Sequence, residues 1–131
     1  DQSQKKLTLD LSPGLPLLEA DEEKTLRIFL NLLANAFKFT RSGDSIGLVG
    51  RGGTDGIAEF WVDDTGPGIP PDRMARLFQP FRAGEGSEAE QGSGLGLSIV
   101  KSLVEGQGGR LTVTSLPGKG TSIRFSVKTA P

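Results

Sequence analysis

The feature that most constrains this chain is the order in which its apolar period changes. KKLTLDL (5–11) alternates with a period of two and reads as a strand. SPGLP breaks it, and the acidic cluster Glu19, Asp21, Glu22 and Glu23 opens a helix expected to run to about Thr40, since acids in a first turn suit the helix dipole. Two β-like runs follow, near Ser45 to Gly50 and Gly56 to Val62, and the turn-rich RGGTDG between them predicts a hairpin. DDTGPGIP stops the second run. A short helix from about Pro71 to Phe78 leads into AGEGSEAEQGSG, a glycine-rich acidic stretch with little to bury and the composition of a mobile loop. From about Leu95 to Glu105, apolar residues recur at helical spacing (Leu97, Val100, Leu103, Val104), and RLTVTS and TSIRFSV then alternate around a PGKG turn. This order predicts an α+β domain, with about three helices on one face of a mixed, mostly antiparallel sheet of about five strands.

The 131 residues fit a single domain, 1–131, with no internal repeat or linker. Fifteen Lys and Arg against 16 Asp and Glu give a net charge of −1 without a basic stripe, which argues against nucleic acid as a partner. The absence of cysteine excludes disulfides and thiolate chemistry. No apolar run approaches the ~20 residues of a membrane span, and DQSQKK lacks the apolar core of a signal peptide, so a soluble, cytoplasmic segment without direct membrane contact is expected. Glycine, at 19 residues, is about twice its average usage, and histidine is absent, which removes the commonest general base from the chain.

Three local patterns carry chemistry. Within LRIFLNLLANAFKFT (26–40), Asn31, Asn35 and Lys38 fall within roughly 60° of one another on a helical wheel, with Leu26, Leu30, Leu33 and Phe37 on the opposite side. A buried helical Asn is satisfied by neighbouring backbone in most settings; the alternative is an amide oxygen from Asn35 in the octahedral shell of Mg²⁺, with Lys38 one turn on offsetting phosphate charge. In DDTGPGIP, Asp64 ends a strand and Gly66 and Gly68 let the backbone turn. That pattern fits an Asx turn, or a carboxylate accepting the exocyclic amine of a purine. GSGLGLSIV (92–100) sets Gly92, Gly94 and Gly96 just ahead of the expected helix, where free amides favour an anion such as phosphate. Neither the dinucleotide fingerprint nor a P-loop matches it. With the acidic loop before it, it suggests a lid over about residues 82–93 that closes on a nucleotide.

Together these segments resemble the ATP-binding catalytic domain of sensor histidine kinases, in the superfamily that includes gyrase, MutL and the large heat-shock chaperone, from about residue 5 to 128. Residues 26–40 are similar to the family's asparagine box, DDTGPGI to its first glycine box, LFQPF (77–81) to its phenylalanine box and GSGLGLSIV to its second glycine box. The resemblance implies the Bergerat α/β sandwich, with ATP held between helices and sheet under the lid. Asp64 would bind the adenine amine, and Asn35 would coordinate Mg²⁺. Asn31, Lys38 and Arg82 would lie near the phosphates. The glycine boxes would contribute Gly66, Gly68, Ile69, Gly92, Gly94, Leu95, Gly96 and Leu97. Thr121, in GKGTSIRF, matches a threonine that the family places by the adenine, although strand packing explains it as well.

Asn31 separates the possible activities. Relatives that hydrolyse ATP or phosphorylate serine usually carry a glutamate there, and an amide takes no proton at neutral pH. A neutral imidazole already carries its lone pair, so Asn31 points to histidine as acceptor. Since the chain has no histidine, the acceptor is expected on a dimerisation and phosphotransfer domain of the parent protein, with a response regulator further downstream. The alternatives are a regulatory ATPase or serine kinase of the same superfamily, and a nucleotide-sensing scaffold without transfer activity.

Overall fold

The computed structural model describes residues 5–13, 15, 18–52, 55–78 and 88–129, with backbone alone for 88–96. The elements are β1 (Lys6–Leu11), α1 (Glu22–Phe39), β2 (Ser45–Gly52), β3 (Ile57–Asp64), α2 (Pro71–Met74), α3 (Glu88–Gly106), β4 (Leu111–Leu116) and β5 (Gly120–Lys128). The five strands lie in the order β1-β2-β3-β5-β4. β1 runs parallel to β2 and every other pairing is antiparallel, which is the mixed, mostly antiparallel sheet expected.

Strand alternation sends Ile46, Ala58, Phe60, Val62, Ile123, Phe125 and Val127 to one face, where they meet Ile28, Leu32 and Ala36 of α1 and Leu97, Val100 and Val104 of α3. At the centre the Phe29 ring stands edge-on to Phe60 and Phe125, with centroids 5.2 and 5.1 Å away, while Phe60 and Phe125 stack at 5.4 Å. The Asp21 side chain caps α1 by accepting the Lys24 N–H at 2.8 Å, and Glu22 and Glu23 follow in the first turn. Gln107, just past α3, accepts the Asp21 N–H at 2.6 Å and donates to the buried Thr25 hydroxyl at 3.4 Å. The start of α1 is thereby tied to the end of α3.

Four boundaries differ from the sequence expectation. The hairpin strands run on to Gly52 and Asp64, because their ladder continues as far as the pairs Gly52↔Ala58 and Ile46↔Asp64. α2 ends at Met74 and passes through turns to Phe78, whose ring lies 5.4 Å from the Lys101 ammonium of α3. α3 begins at Glu88 rather than Leu95. Glu88, Ala89, Glu90 and Gln91 are good helix formers with acids in the first turn, so residues 88–93 of the expected lid are helical here. Gly92, Gly94 and Gly96 therefore lie inside α3 and not before its N-terminus.

Candidate functional site

The helix layer and the sheet part at the C-terminal end of α1, leaving a pocket. Its walls are Leu32, Asn35, Ala36 and Phe39 from α1, Val62 and Asp64 from β3, Pro67, Gly68, Ile69, Pro70 and Arg73 from the segment after β3, Leu97 from α3, and Thr121 and Ile123 from β5. The lining is apolar except for a few polar groups, the usual make-up of a site for a planar organic ligand.

Asp64 sits at the last position of β3, opposite Thr121 on β5. Its Oδ1 accepts the Gly66 N–H at 2.9 Å, the closure of an Asx turn. Burial pushes the carboxyl above its ordinary range, the N–H groups of Gly66 and Thr121 pull it part of the way back, and the negative charges of Asp44 and Asp63 add to the rise. The Asx turn is present, and the same carboxylate, held by the Gly66 and Thr121 N–H groups, also lines the pocket.

The segment after β3 is fixed from behind by the β4–β5 hairpin. The Gly118 N–H donates to the Pro67 carbonyl at 2.6 Å, and the Ile69 N–H donates to Ser115 Oγ at 2.7 Å. Gly68 has φ of 80°, and a Cβ there would lie 2.4 Å from the Leu116 carbonyl oxygen. Its glycine is accordingly required both by the turn and by contact with the hairpin. Thr121 pairs in β5, as strand packing predicts, and also lines the pocket, with its hydroxyl 3.1 Å from Ser115 Oγ.

Asn35 carries the clearest signal of a missing partner. Its Nδ2 is buried and finds no hydrogen-bond partner, although a buried amide left unpaired costs on the order of 1–3 kcal/mol. The NH₂ of this amide is a donor without an acceptor, and the oxygen of the same group is the atom that could meet a cation. No group of three or more acidic, histidine or cysteine side chains that could hold a metal occurs among the described residues. An Mg²⁺ shell drawn mainly from phosphate and water needs only one or two protein groups, and the side-chain oxygen of Asn35 could be one of them.

Six expected residues meet in the pocket: Asn35, Asp64, Gly68, Ile69, Leu97 and Thr121. Gly66 adjoins it through its bond to Asp64. Asn31 is half-buried and Lys38 exposed on α1, and neither lines the pocket. Gly92, Gly94, Leu95 and Gly96 are in α3, where only backbone is described, and Arg82 lies outside the described residues. Arg73 is an addition. It reaches the pocket because α2 starts with Pro70 and Pro71 directly after the glycine turn, and the position of a lone arginine in a four-residue helix carried no sequence signal.

The fold and the pocket define a class: a two-layer sandwich with a mostly apolar pocket open between its helices and its sheet. In accord with this, residues 20–131 match the family described as histidine kinase-, DNA gyrase B-, and HSP90-like ATPase, and the chain belongs to that family. Among its relatives, the sensor histidine kinase TmoS of Ectopseudomonas mendocina is 46% identical over 95% of this chain and 13% of its own length. The adaptive-response sensory kinase SasA of Trichormus variabilis is 35% identical over 96% of this chain and 31% of its own. The chain therefore spans about a third or less of these relatives. The structure of the mycobacterial sensor histidine kinase MprB superposes with a TM-score of 0.78 at 31% identity, covering 98% of this chain and 86% of that one. Full-length ShkA, crystallised in complex with AMPPNP, gives 0.78 at 35% identity over 96% of this chain and 26% of its own. No helix among the described residues is long and apolar enough to cross a membrane.

Proposed function

We propose that this domain binds ATP with Mg²⁺ and presents the γ-phosphate to a histidine on a separate dimerisation and phosphotransfer domain of the same parent protein. The observation that carries this reading is the pairing, in one apolar pocket, of the half-buried Asp64 carboxylate with the Asn35 amide, whose Nδ2 finds no partner. Asp64 accepts the adenine amine, and Val62, Ile69 and Ile123 cover the ring. Asn35 supplies the amide oxygen to Mg²⁺, whose chemistry is to draw charge from the phosphate oxygens. Asn31 and Lys38, about two turns apart on the same stripe, and Arg82 serve the phosphates, and Arg73 adds a cation at the pocket wall. Residues 82–93 act as a cover that excludes water during transfer.

Transfer joins the γ-phosphorus to an imidazole nitrogen and releases ADP; the nitrogen's own lone pair makes the bond, so no base is needed at Asn31. The phosphohistidine then supplies a response regulator. The setting is cytoplasmic, where ATP and Mg²⁺ are available.

The test is to incubate the chain with γ-labelled ATP, alone and with its helical phosphotransfer domain. Alone it binds ATP, turns it over very slowly and takes up no histidine label; with the added domain, label appears on that domain's histidine. Rapid hydrolysis by the chain alone, with contaminating ATPase removed, would overturn the histidine-kinase reading in favour of a regulatory ATPase. A second measurement isolates the metal. Asn35→Ala is expected to weaken binding of ATP with Mg²⁺ by about tenfold, while leaving metal-free binding nearly unchanged, because it removes one oxygen ligand and one unpaired amide. Equal loss in both titrations would make Asn35 structural.

A further inference from the structure

Arg73 is a half-buried cation in a mostly apolar wall, and among the described residues its guanidinium makes no hydrogen bond or ion pair. Other arginines of the sheet are paired: Arg51 meets Asp10 at 2.8 Å and Arg124 meets Glu59 at 3.7 Å. The backbone that carries Arg73 is held in place. Its N–H donates to the Pro70 carbonyl at 3.0 Å, and the nearby Ile69 N–H is fastened to Ser115 Oγ of the β4–β5 hairpin. Met74 packs against the core and Leu77 is buried, while Asp72, Ala75 and Arg76 are exposed. Arg73 is thereby the position of this stretch that looks into the pocket.

The hydroxyls beside the pocket show what such a cation is needed for. Ser115 Oγ accepts the Ile69 N–H at 2.7 Å and reaches the Gly120 carbonyl at 3.2 Å, a contact that only its own proton can make. The 3.1 Å contact between the Ser115 and Thr121 hydroxyls therefore takes its proton from Thr121. Toward the pocket Thr121 keeps lone pairs alone, and an ionised Asp64 is likewise an acceptor only. Both suit an exocyclic amine, and neither can serve the ring nitrogens of a purine, which are acceptors themselves. With Asn35 directed to the metal, the side-chain donor left among the described lining residues is Arg73.

We infer that the Arg73 guanidinium donates a hydrogen bond to a ring nitrogen flanking the adenine amine, N1 or N7, while Asp64 accepts the amine itself. The inference rests on the reading of the pocket as an ATP site and assigns it a specificity-determining residue. Donor and acceptor then read neighbouring atoms on one edge of the ring, and a base that has the amine but lacks the adjacent nitrogen is bound less tightly. A rigid planar fork with several N–H groups is suited to such an edge, whereas an ammonium is a point charge.

Calorimetric titration of the 131-residue chain with ATP, 1-deaza-ATP and 7-deaza-ATP tests this in the wild type, Arg73→Met and Arg73→Lys. The wild type should bind one of the two analogues about tenfold or more weakly than ATP. In Arg73→Met, ATP affinity should fall by a similar factor and that analogue should bind as well as ATP, since no donor remains to miss the nitrogen. The guanidinium has no partner to lose, so the Tm of the ligand-free domain should be unchanged. A deaza penalty of equal size in the wild type and Arg73→Met, or a wild type that binds both analogues as tightly as ATP, would overturn the proposal. So would full recovery of ATP affinity in Arg73→Lys without recovery of the penalty, which would mark the residue as a counter-charge to phosphate. Asp64→Asn separates the two levels of the argument: unchanged ATP affinity in that variant removes the ATP-site reading, whereas an Asp64-dependent site whose analogue ratios ignore Arg73 defeats this inference alone.

Discussion

Asp64→Asn is expected to lower ATP affinity by about 100-fold or more while leaving the domain folded. The side chain of Asp64 already accepts the Gly66 N–H through Oδ1. In the asparagine variant that N–H claims the single remaining oxygen, so the NH₂ group turns toward the pocket and meets the adenine amine donor to donor. Calorimetric titration reads the loss, and unchanged affinity in a folded variant would remove Asp64 from the adenine site. The pH dependence gives an independent check. Because the carboxyl is pushed upward in the folded domain, its contribution to stability is fully present below its ordinary value of 3.8 and is lost as pH rises through the elevated value. Wild type should therefore lose stability relative to Asp64→Asn as pH rises through that range. A ligand amine favours the ionised form, so ATP affinity of the wild type should rise with pH over the same interval, and the variant should show no such rise.

Gly120→Ala should cause the largest loss of stability among single-atom-scale changes, about 3 kcal/mol or more, and a fall in Tm of about 10 °C or more. Gly120 opens β5 at φ of 104°, and an added Cβ would lie 2.1 Å from the Asp64 carbonyl oxygen. Backbone rather than a flexible side chain occupies that space, so relief requires β5 to move away from β3. The displaced segment carries Thr121 and the end of the Asp64 pair. ATP affinity should accordingly fall even at temperatures where the variant remains folded. Thermal melts with and without ATP measure both effects, and a variant with wild-type Tm would show that the turn before β5 yields without cost.

The layers of the fold were legible because each segment's own period states how it is buried. Alternation in 111–116 and 120–128, and the 3.6-residue spacing of Leu97, Val100 and Val104, admit one packing of helices on a sheet. The core of the site was legible for a related reason. Asp64, Asn35 and the glycines following β3 are residue types that their elements do not otherwise favour, and a polar residue set against its local propensity marks a position held for another purpose. Arg73 left no such mark, since an arginine in a short polar helix fits its surroundings whether it faces solvent or a pocket. The start of α3 was read late because glycine lowers helix propensity by about 1 kcal/mol per residue, whereas the helix-forming run from Glu88 to Gln91 leads the helix in from ahead of the glycines.

The sequence by itself determined the order of elements, the polar stripe on α1, and the placement of a carboxylate at the end of a strand next to a flexible turn. These are local matters, settled by period, capping and turn chemistry within a few residues. Only the tertiary structure decided which apolar side of α1 would be buried. Ile28, Leu32 and Ala36 reach the core while Leu26, Leu30 and Phe37 stay exposed, although both sets have helical spacing. Tertiary structure also gave Gly68 and Gly120 their reason, in carbonyl oxygens of Leu116 and Asp64 from other elements. Such contacts join residues about 50 positions apart, and no local propensity encodes which distant backbone will arrive.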